Sequence, residues 1–335
     1  MVKVFDVFLF NNELDLLELR LTYLYPHVDF FIILESSQTF SGQPKDYNYL
    51  KNKVRYKRFS DKIKYYTLAE NISGYEDLKY ILLRHGSLGK KIFLELDELL
   101  DDEKEKKYPH WVRDAYQREI CRIALDENAS SKDLVIFGDM DEIPSLAAVN
   151  KYKDLNLKSP LSKVHFPLML DFEFSVNRLR SVDWAGSCFS SYRIIKTIGL
   201  NRVRSIAVYR RENNLVDLDT EEGGYHFSSV GSILGLKSKI MAYGHQEFNI
   251  FPVIFFLKSN LNSGRDIFYR KVVNTKFIEP EENLKFDKIM LSLLRSRFSH
   301  LWFSPRPSIW SKGMSLLGYQ LNLIWKIPRK IRNFL

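Results

Sequence analysis

The chain has 335 residues, enough for one large domain or one and a half, and its 45% hydrophobic and 14% aromatic content excludes a disordered protein. Only two cysteines occur, Cys121 and Cys188, which excludes a disulfide framework and favours a reducing compartment. The formal net charge is +9, from 50 Lys and Arg against 41 Asp and Glu residues.

The N-terminal segment has the pattern of alternating strands and helices. Asp6 interrupts the apolar run that a signal peptide needs, and no uncharged apolar stretch is long enough to span a bilayer, so we expect a cytoplasmic protein. A strand, a helix and a strand in succession predict a parallel sheet. The predicted elements are a strand over 2–10, a helix over 14–25 capped by Asn11-Asn12-Glu13, strands over 30–34 and 63–67, and a helix over 109–127.

Three carboxylates, Asp139, Asp141 and Glu142, directly follow the apolar run Leu134–Phe137. Ligands of open α/β sheets bind beyond the carboxyl ends of the strands, so this strand end is a candidate site. Alternate residues of an extended chain point the same way, so Asp139 and Asp141 can face one cation, and Mg²⁺ and Mn²⁺ prefer oxygen ligands. Pro144 then suits the start of a helix. The alternative is a solvated acidic turn.

The regular alternation of strands and helices stops after this helix. We therefore expect an antiparallel extension of the sheet that shapes a second pocket. Asp171, Glu173, Asp183 and Trp184 belong to this region. Its predicted strands cover 163–170, 172–176, 192–198 and 205–209.

Two segments that combine glycine, aromatic residues and histidine follow. The paired glycines of Glu222-Gly-Gly-Tyr-His-Phe-Ser228 indicate a close backbone approach, either to another part of the chain or to a ligand. A short helix over 237–242 leads to Tyr243-Gly-His-Gln-Glu-Phe-Asn249. A lone histidine is usually structural, but His226 and His245 in such loops are candidate metal ligands.

The positive charge is concentrated at the C-terminal end. Residues 288–335 contain nine Lys and Arg residues and no acid, whereas the first 287 residues are neutral overall. Trp302, Trp310 and Trp325 lie there among leucines, a composition that predicts an interfacial helix on an anionic membrane. The alternative is a helix that covers the core. We expect no nucleic-acid partner, because no recognisable nucleic-acid-binding motif accompanies these lysines and arginines.

A set of short motifs runs in one order through residues 4–270. They are Phe10-Asn-Asn-Glu-Leu-Asp-Leu-Leu-Glu-Leu-Arg20, Val28-Asp-Phe-Phe-Ile-Ile-Leu-Glu35, Thr39-Phe-Ser-Gly42 with Lys45, Tyr116-Gln-Arg118, Asp139-Met-Asp-Glu-Ile-Pro144, Gly223-Gly-Tyr-His-Phe-Ser228 and His245-Gln-Glu247. Together they resemble glycosyltransferase family 17 (β-1,4-mannosyl-glycoprotein β-1,4-N-acetylglucosaminyltransferase-like), of bacterial or viral type. Tyr225 departs from the pattern, because the family commonly has Trp at that position.

The resemblance implies a GT-A fold, an α/β Rossmann-like fold with a mixed central sheet, and we expect this catalytic domain over residues 1–287. Residues 288–335 lie outside the resemblance, and their composition predicts a basic helical tail. It implies a nucleotide-sugar donor, expected to be a UDP-sugar with GlcNAc as the candidate sugar, a Mn²⁺ or Mg²⁺ ion, and inversion at the anomeric carbon. The expected acceptor is a glycan or lipid-linked glycan of bacterial surface polysaccharide or viral glycan assembly. We expect the protein in the cytoplasm, peripheral at the inner face of the membrane.

The resemblance also suggests roles for the matched residues. The metal is assigned to Asp141, with Asp139 on it directly or through ribose and water, and His245 or His226 completes the ligand set. Arg118 offsets phosphate charge. The residues expected to bind the nucleotide are Phe10, Asn12, Glu13, Glu35, Gln117, Arg118 and Asp139.

The catalytic base must be a carboxylate on the far side of the anomeric carbon. Glu247 is the first candidate because it lies beside His245 in a matched segment, and Asp171, Glu173 and Asp183 are the alternatives. Two other functions compete with glycosyl transfer: a phosphotransferase or nuclease that uses the same carboxylates, and a non-catalytic membrane-surface protein with a transferase-like body. No P-loop or His-rich nuclease motif supports the first, and the intact carboxylates argue against the second.

Overall fold

The structure, a computed structural model, describes residues 2–100, 105–181, 183–209, 216–270, 275–278 and 286–332, without the side chains of 205–209, 216, 219–222 and 324–332. Its strands are β1 (Val4–Phe10), β2 (Phe30–Ser36), β3 (Ile63–Leu68), β4 (Leu134–Phe137), β5 (Glu142–Pro144), β6 (Val164–Glu173), β7 (Arg178–Arg180), β8 (Trp184–Ala185), β9 (Cys188–Ser191), β10 (Val216–Ser228) and β11 (Thr275–Phe277). Its helices are α1 (Leu14–Leu24), α2 (Asn48–Lys51), α3 (Tyr75–Leu83), α4 (Gly86–Leu99), α5 (Pro109–Glu119), α6 (Cys121–Asn128), α7 (Leu146–Lys158), α8 (Tyr192–Ile198), α9 (Leu200–Tyr209), α10 (Ile233–Ala242), α11 (Phe251–Ser263), α12 (Lys288–Ser296) and α13 (Ile309–Arg332).

The chain divides into two compact units. The first comprises Met1–Leu170 and Trp184–His226, and the second comprises Asp171–Asp183 and Phe227–Leu335. The division between the two compact units does not fall at residue 287, where we predicted the boundary between a catalytic domain and a C-terminal tail. The predicted boundary concerns the roles of the two segments and not their compactness, so it stays a prediction.

The first unit contains a mixed sheet with the strand order β6-β9-β4-β1-β2-β3. Strand β1 pairs in parallel with β2 and β4, and β2 pairs in parallel with β3, whereas β9 runs antiparallel to β4. The predicted α/β fold with a mixed sheet is therefore confirmed. Because β4, β1 and β2 are parallel, the residues that follow Phe137, Phe10 and Ser36 emerge at the same edge of this sheet.

Helices cover the sheet of the first unit, which explains why its strands are almost continuously apolar. The residues Phe5, Val7, Ile32 and Phe137 belong to one buried cluster with side chains of α3–α6, α8 and α9. Both cysteines are buried and free, in agreement with the prediction of no disulfide. Burial raises the pKa of Cys188 to about 12.

The second unit combines a small antiparallel ribbon with helices. Strand β7 pairs with β11 and, through Leu179 opposite Phe172, with the end of β6. The core packs around α11, which contributes Val253, Phe256 and Leu257. Helix α13 lies along α11. Within the described residues, no helix combines the length and the hydropathy that crossing a bilayer requires.

Several predicted elements agree with the structure and others need correction. The first three predicted strands, the helix over 14–25 and the helix over 237–242 are present, although Glu13 stands at the cap position of α1 without a side-chain cap bond. The predicted helix over 109–127 is divided at Ile120 into α5 and α6, and the strands predicted over 163–170 and 172–176 form one strand, β6.

The predicted strands over 192–198 and 205–209 are wrong, because these residues belong to α8 and α9. The isoleucines of α8 have high strand propensity, but Tyr192 and Ile195 are buried at helical spacing. In α9, Leu200, Val203 and Arg204 are likewise buried three and four residues apart. Packing against the first-unit core therefore overrides local propensity.

Candidate active site

A buried arginine of α1 holds the turn that contains the three predicted carboxylates. Arg20 NH1 donates to the main-chain carbonyls of Asp139, Met140 and Glu142 at 2.9, 3.0 and 3.0 Å. Its Nε and NH2 donate to the Asp6 carboxylate of β1 at 2.8 and 2.6 Å, and both side chains are fully buried. A buried ion pair is stable only with such additional hydrogen bonds. The first strand and helix therefore fix the backbone of the acidic turn.

Glu142 is a structural carboxylate within this turn. It is fully buried and accepts hydrogen bonds from Trp184 Nε1 at 2.6 Å, from Arg204 NH1 and NH2 at 2.9 and 2.5 Å, and from the Asp139 main-chain N–H at 2.8 Å. A Cβ at Gly138 would lie 2.7 Å from Glu142 Oε2, so a side chain there would displace the carboxylate. Protein donors thus occupy both Glu142 oxygens.

Asp139 lies beside two arginines at the edge of the turn. Its side chain is 44% exposed, with Arg204 NH2 at 2.9 Å and Arg118 NH2 at 3.8 Å. Arg118 is held by Asp114 through bonds of 2.9 and 3.0 Å. Burial alone lowers the pKa of Arg118, but Asp114 and Asp139 outweigh burial and raise it. Arg204 likewise has a raised pKa because of Asp139 and Glu142. Both guanidiniums are therefore fully charged and suited to phosphate.

Asp141 lies beside a histidine. Its Oδ1 is 3.9 Å from His226 Nε2, and the two side chains are each 8% exposed. The Trp184 ring stacks on the His226 ring with centroids 4.7 Å apart and an interplanar angle of 19°. Because Trp184 also donates to Glu142, one indole links the structural carboxylate to the imidazole.

The paired glycines allow β10 to approach this turn. Strand β10 pairs with β5 so that Gly224 lies opposite Pro144. Gly224 has a φ of +138°, and a Cβ on it would meet the Ile143 carbonyl oxygen at 2.3 Å. A Cβ on Gly223 would meet the Pro167 carbonyl oxygen at 2.4 Å. The predicted close approach is therefore made by other parts of the chain, and it places His226 beside the acidic turn.

Two side chains at this turn are candidate ligands of a divalent metal ion. Adjacent ligands of an octahedral ion at about 2.1 Å lie about 3.0 Å apart, so the Asp141 oxygen and the His226 nitrogen, 3.9 Å apart, would have to move closer to bind one cation. Among the described residues, no group of three or more His, Cys, Asp and Glu side chains could hold a metal. Cations that act on phosphates often bind one or two protein carboxylates, with substrate oxygens completing the ligand set.

Glu35, predicted to bind the nucleoside, anchors a neighbouring loop. Its buried carboxylate accepts from Lys45 Nζ at 2.8 Å, from the main-chain N–H groups of Asn48 and Tyr49 at 2.6 and 3.0 Å, and from the Tyr65 hydroxyl at 2.8 Å. Burial and the bond to Glu35 raise the pKa of Tyr65. Glu35 therefore positions the loop that joins β2 to α2.

Residues of α5 hold the same loop. The Gln117 side chain donates to the Gln38 carbonyl at 3.1 Å, and Arg113 donates to the Phe40 carbonyl at 3.3 Å. Gly42 has a φ of +92°, and a Cβ on it would lie 2.4 Å from the Arg113 guanidinium. Gln117 thus contacts protein main chain, and only its neighbour Arg118 reaches the acidic turn.

The other predicted nucleotide residues lie just beyond β1. Phe10 is buried at the end of the strand, whereas Asn12 is exposed. The Asn12 main-chain N–H donates to Glu13 Oε2 at 3.0 Å. These residues emerge at the same sheet edge as Asp139, as expected for neighbouring parallel strands.

The candidates for the base lie in the second unit. Glu247 Oε1 is 2.7 Å from His245 Nδ1, with the side chains 47% and 54% exposed. Asp171 is buried, and its Oδ2 lies 2.6 Å from Arg180 NH2. Asp183 is exposed. Of the candidates, Glu247 and Asp183 are therefore accessible to solvent.

Sequence reasoning missed three residues of this site. Asp6 and Arg20 could have been found, because a charge inside an apolar strand or an apolar helix face indicates a buried ionic partner. Arg204 carried no such signal, since it precedes a segment that was predicted to be a strand.

Comparison with known families agrees with the N-terminal part of this architecture. The family model described as Glycosyltransferase family 17 matches residues 1–81, which include β1, α1, β2 and β3 and therefore Asp6, Arg20 and Glu35. No curated protein matches the chain. The resemblance to glycosyltransferase family 17 is confirmed on this N-terminal segment.

Proposed function

We propose that this protein is an inverting, metal-dependent glycosyltransferase of the GT-A fold. It transfers a sugar, with GlcNAc as the first candidate, from a UDP-linked donor to a hydroxyl of a glycan acceptor. The observation that carries this proposal is the acidic turn after β4, where Asp141 lies beside His226 and Asp139 lies between two arginines. The position beyond the carboxyl ends of parallel strands is where α/β folds bind nucleotides.

We assign the cation to Asp141 and His226. One carboxylate and one imidazole favour Mn²⁺ over Mg²⁺, because imidazole is a poor ligand for the harder ion. The bound ion supplies charge neutralisation for the departing diphosphate. Asp139 already contacts Arg204 at 2.9 Å, so its contact with the donor is through ribose or water. His245 is the alternative ligand from the second unit.

Arg118 and Arg204 offset the remaining phosphate charge. Asp114 holds the Arg118 guanidinium on one side, and Glu142 holds that of Arg204. Donors held in this way need little reorganisation as negative charge develops on the leaving group. Arg204 is therefore added to the predicted nucleotide-binding residues.

The transfer step needs one base. The acceptor oxygen forms a bond to the anomeric carbon, the bond from that carbon to the diphosphate breaks with its electron pair, and the acceptor proton moves to the base. Glu247 is our first choice, and His245 at 2.7 Å orients its carboxylate. Asp183 is the second. Asp171 and Glu173 come last, because arginines already pair with their buried carboxylates.

For the acceptor we propose a glycan or a lipid-linked glycan, as in the assembly of bacterial surface polysaccharide or viral glycans. A lipid-linked acceptor would place the reaction at the cytoplasmic face of a membrane. The region from β6 to α9 is the candidate determinant of acceptor choice, because Trp184 and Asp183 lie within it.

A donor screen tests the proposal. The full chain is incubated with UDP-, GDP- and CMP-sugars, with Mn²⁺ or with EDTA, and the released nucleotide is measured. We expect hydrolysis of a UDP-sugar that requires Mn²⁺ and stops in EDTA. Mn²⁺-dependent turnover of nucleoside triphosphates or nucleic acid without sugar release would instead identify a phosphotransferase or nuclease. If no donor is turned over, the result would favour the non-catalytic membrane-surface protein with a transferase-like body.

A further inference from the structure

The C-terminal helix α13 packs inward with small and polar side chains, beside the partly buried Tyr319 and Leu321. In the part of α13 whose side chains are described, the buried residues recur every three or four positions and therefore lie on one face of the helix. Ser315 Oγ on this face donates to Asn260 Oδ1 of α11 at 2.7 Å. A Cβ on Gly318 would approach the Phe256 ring of α11 to 2.7 Å, so the two helices are in close contact. The buried residues of this face are Ser311, Ser315, Gly318 and Asn322.

Several large apolar side chains of α13 are exposed outside this buried stripe, which is unusual for a surface helix. Trp310 is 84% exposed and Ile309 is 89% exposed. Phe251 and Phe255 of the neighbouring α11 are 52% and 58% exposed, with their rings stacked at 5.0 Å. Exposed apolar surface on this scale marks an interaction site. The other large apolar residues exposed on α13 are Met314, Leu316, Leu317 and Leu323.

Basic residues accompany this apolar surface. Lys258 is exposed and follows Phe251 and Phe255 at positions i+7 and i+3, so the three share one face of α11. Arg306 and Lys312 are also exposed. No acid occurs between residues 288 and 335, where nine bases occur. Two copies of such a segment would repel each other, so the charge favours an anionic partner over a second copy.

We propose that α11 and α13 form a docking surface for an anionic lipid bilayer. The helices lie in the plane of the interface, with Trp310, Phe251 and Phe255 at the boundary between headgroups and acyl chains, while the lysines and arginines contact lipid phosphates. The inference is independent of the proposed transferase activity, because no residue of the acidic turn takes part.

Vesicle sedimentation with the full chain tests the proposal. The vesicles contain either phosphatidylcholine alone or equal parts of phosphatidylcholine and phosphatidylglycerol. We expect binding to the anionic vesicles, with a loss of at least about tenfold at high salt, where surface charges are screened. Equal binding to both vesicle types, or to neither, would overturn the proposal.

A pair of matched double variants locates the surface. Phe255→Gln with Trp310→Gln removes two exposed rings and should weaken binding to anionic vesicles by at least about tenfold, with the fold retained because neither ring is buried. Val54→Gln with Tyr80→Gln changes residues that are 88% and 73% exposed in the first unit, and it should bind like the wild type. Undiminished binding of the first variant, or equal loss in both, contradicts the assignment. A second outcome would also contradict the assignment. In that outcome the wild type does not bind vesicles and sediments as a dimer, and the Phe255→Gln/Trp310→Gln variant sediments as a monomer.

Discussion

Acidic side chains cluster in both units, but their neighbours differ. In the second unit, Glu173 is buried, bonds to Arg178 and lies 3.0 Å from Arg270, and Asp171 pairs with Arg180. In the first unit, the Asp139 side chain is 44% exposed, and Asp141 lies beside an imidazole.

The difference shows that the partners of a carboxylate decide its role. A buried carboxylate bonded to a guanidinium is costly to separate from it, so it stabilises one arrangement of the chain. A carboxylate beside an imidazole, or one that remains exposed, can accept a ligand. Glu142 makes the same point within the acidic turn, because it adjoins Asp141 in sequence and yet is held by Arg204 and Trp184.

The largest expected effect comes from Asp141→Ala. We expect donor hydrolysis to fall about 10⁴-fold, about 5.4 kcal/mol in activation free energy, with the Mn²⁺ dependence lost. Initial rates of donor hydrolysis over a Mn²⁺ titration measure the fall in rate and the loss of Mn²⁺ dependence. The control is Asp154→Ala, which removes an exposed carboxylate of α7 and should leave both unchanged. A rate within tenfold of the wild type would remove Asp141 from the metal site.

In the second unit, the corresponding change is Arg178→Met, which leaves the buried Glu173 carboxylate undercompensated. We expect the free energy of unfolding to fall by about 3–5 kcal/mol, measured by urea denaturation, with the donor hydrolysis of the folded fraction unchanged. Arg202→Met is the control, because Arg202 is 59% exposed and its pair with Glu98 should contribute less than about 1 kcal/mol. A stability loss as small as that of the control would mean that the buried network is not structural.

Glu247→Gln tests the accessible carboxylate of the second unit. A general base contributes about 10²–10⁴-fold, so we expect transfer to fall at least about 10²-fold, about 2.7 kcal/mol, while calorimetry shows donor binding retained. Glu98→Gln, which changes a carboxylate that is 73% exposed, is the matched control. Near-normal turnover in Glu247→Gln would reassign the base to Asp183.

The sequence was sufficient for features that depend on local pattern. The apolar strands β1, β2 and β4 and the acids after β4 were predictable, because parallel strands are apolar throughout and ligand sites lie at their carboxyl ends. The isoleucines of α8 misled the prediction, since strand propensity is weaker than the packing of Tyr192 and Ile195 against the core.

Partners distant in the chain could not be predicted. Glu35 was recognised as a strand-end carboxylate, but its bonds to Lys45 and to the start of α2 depend on how a loop folds back. The same holds for Arg204, which reaches Glu142 from 62 residues away. A tertiary contact of this kind has no periodic signal in the sequence.

Of the four substitutions, Arg118→Lys should have the smallest effect when each effect is expressed as a free energy. It tests whether an arginine at the acidic turn differs in role from the arginines of the buried network in the second unit. Lysine keeps the charge but lacks the planar fork that spans Asp114, so we expect the donor KM to rise about tenfold, about 1.4 kcal/mol, with a smaller change in kcat. Arg84→Lys, an exposed arginine of the same unit, should leave both constants unchanged. If Arg118→Lys instead lowered only the free energy of unfolding, Arg118 would resemble Arg178 in role. The acidic turn would then be held by arginines in the same way as the buried network of the second unit.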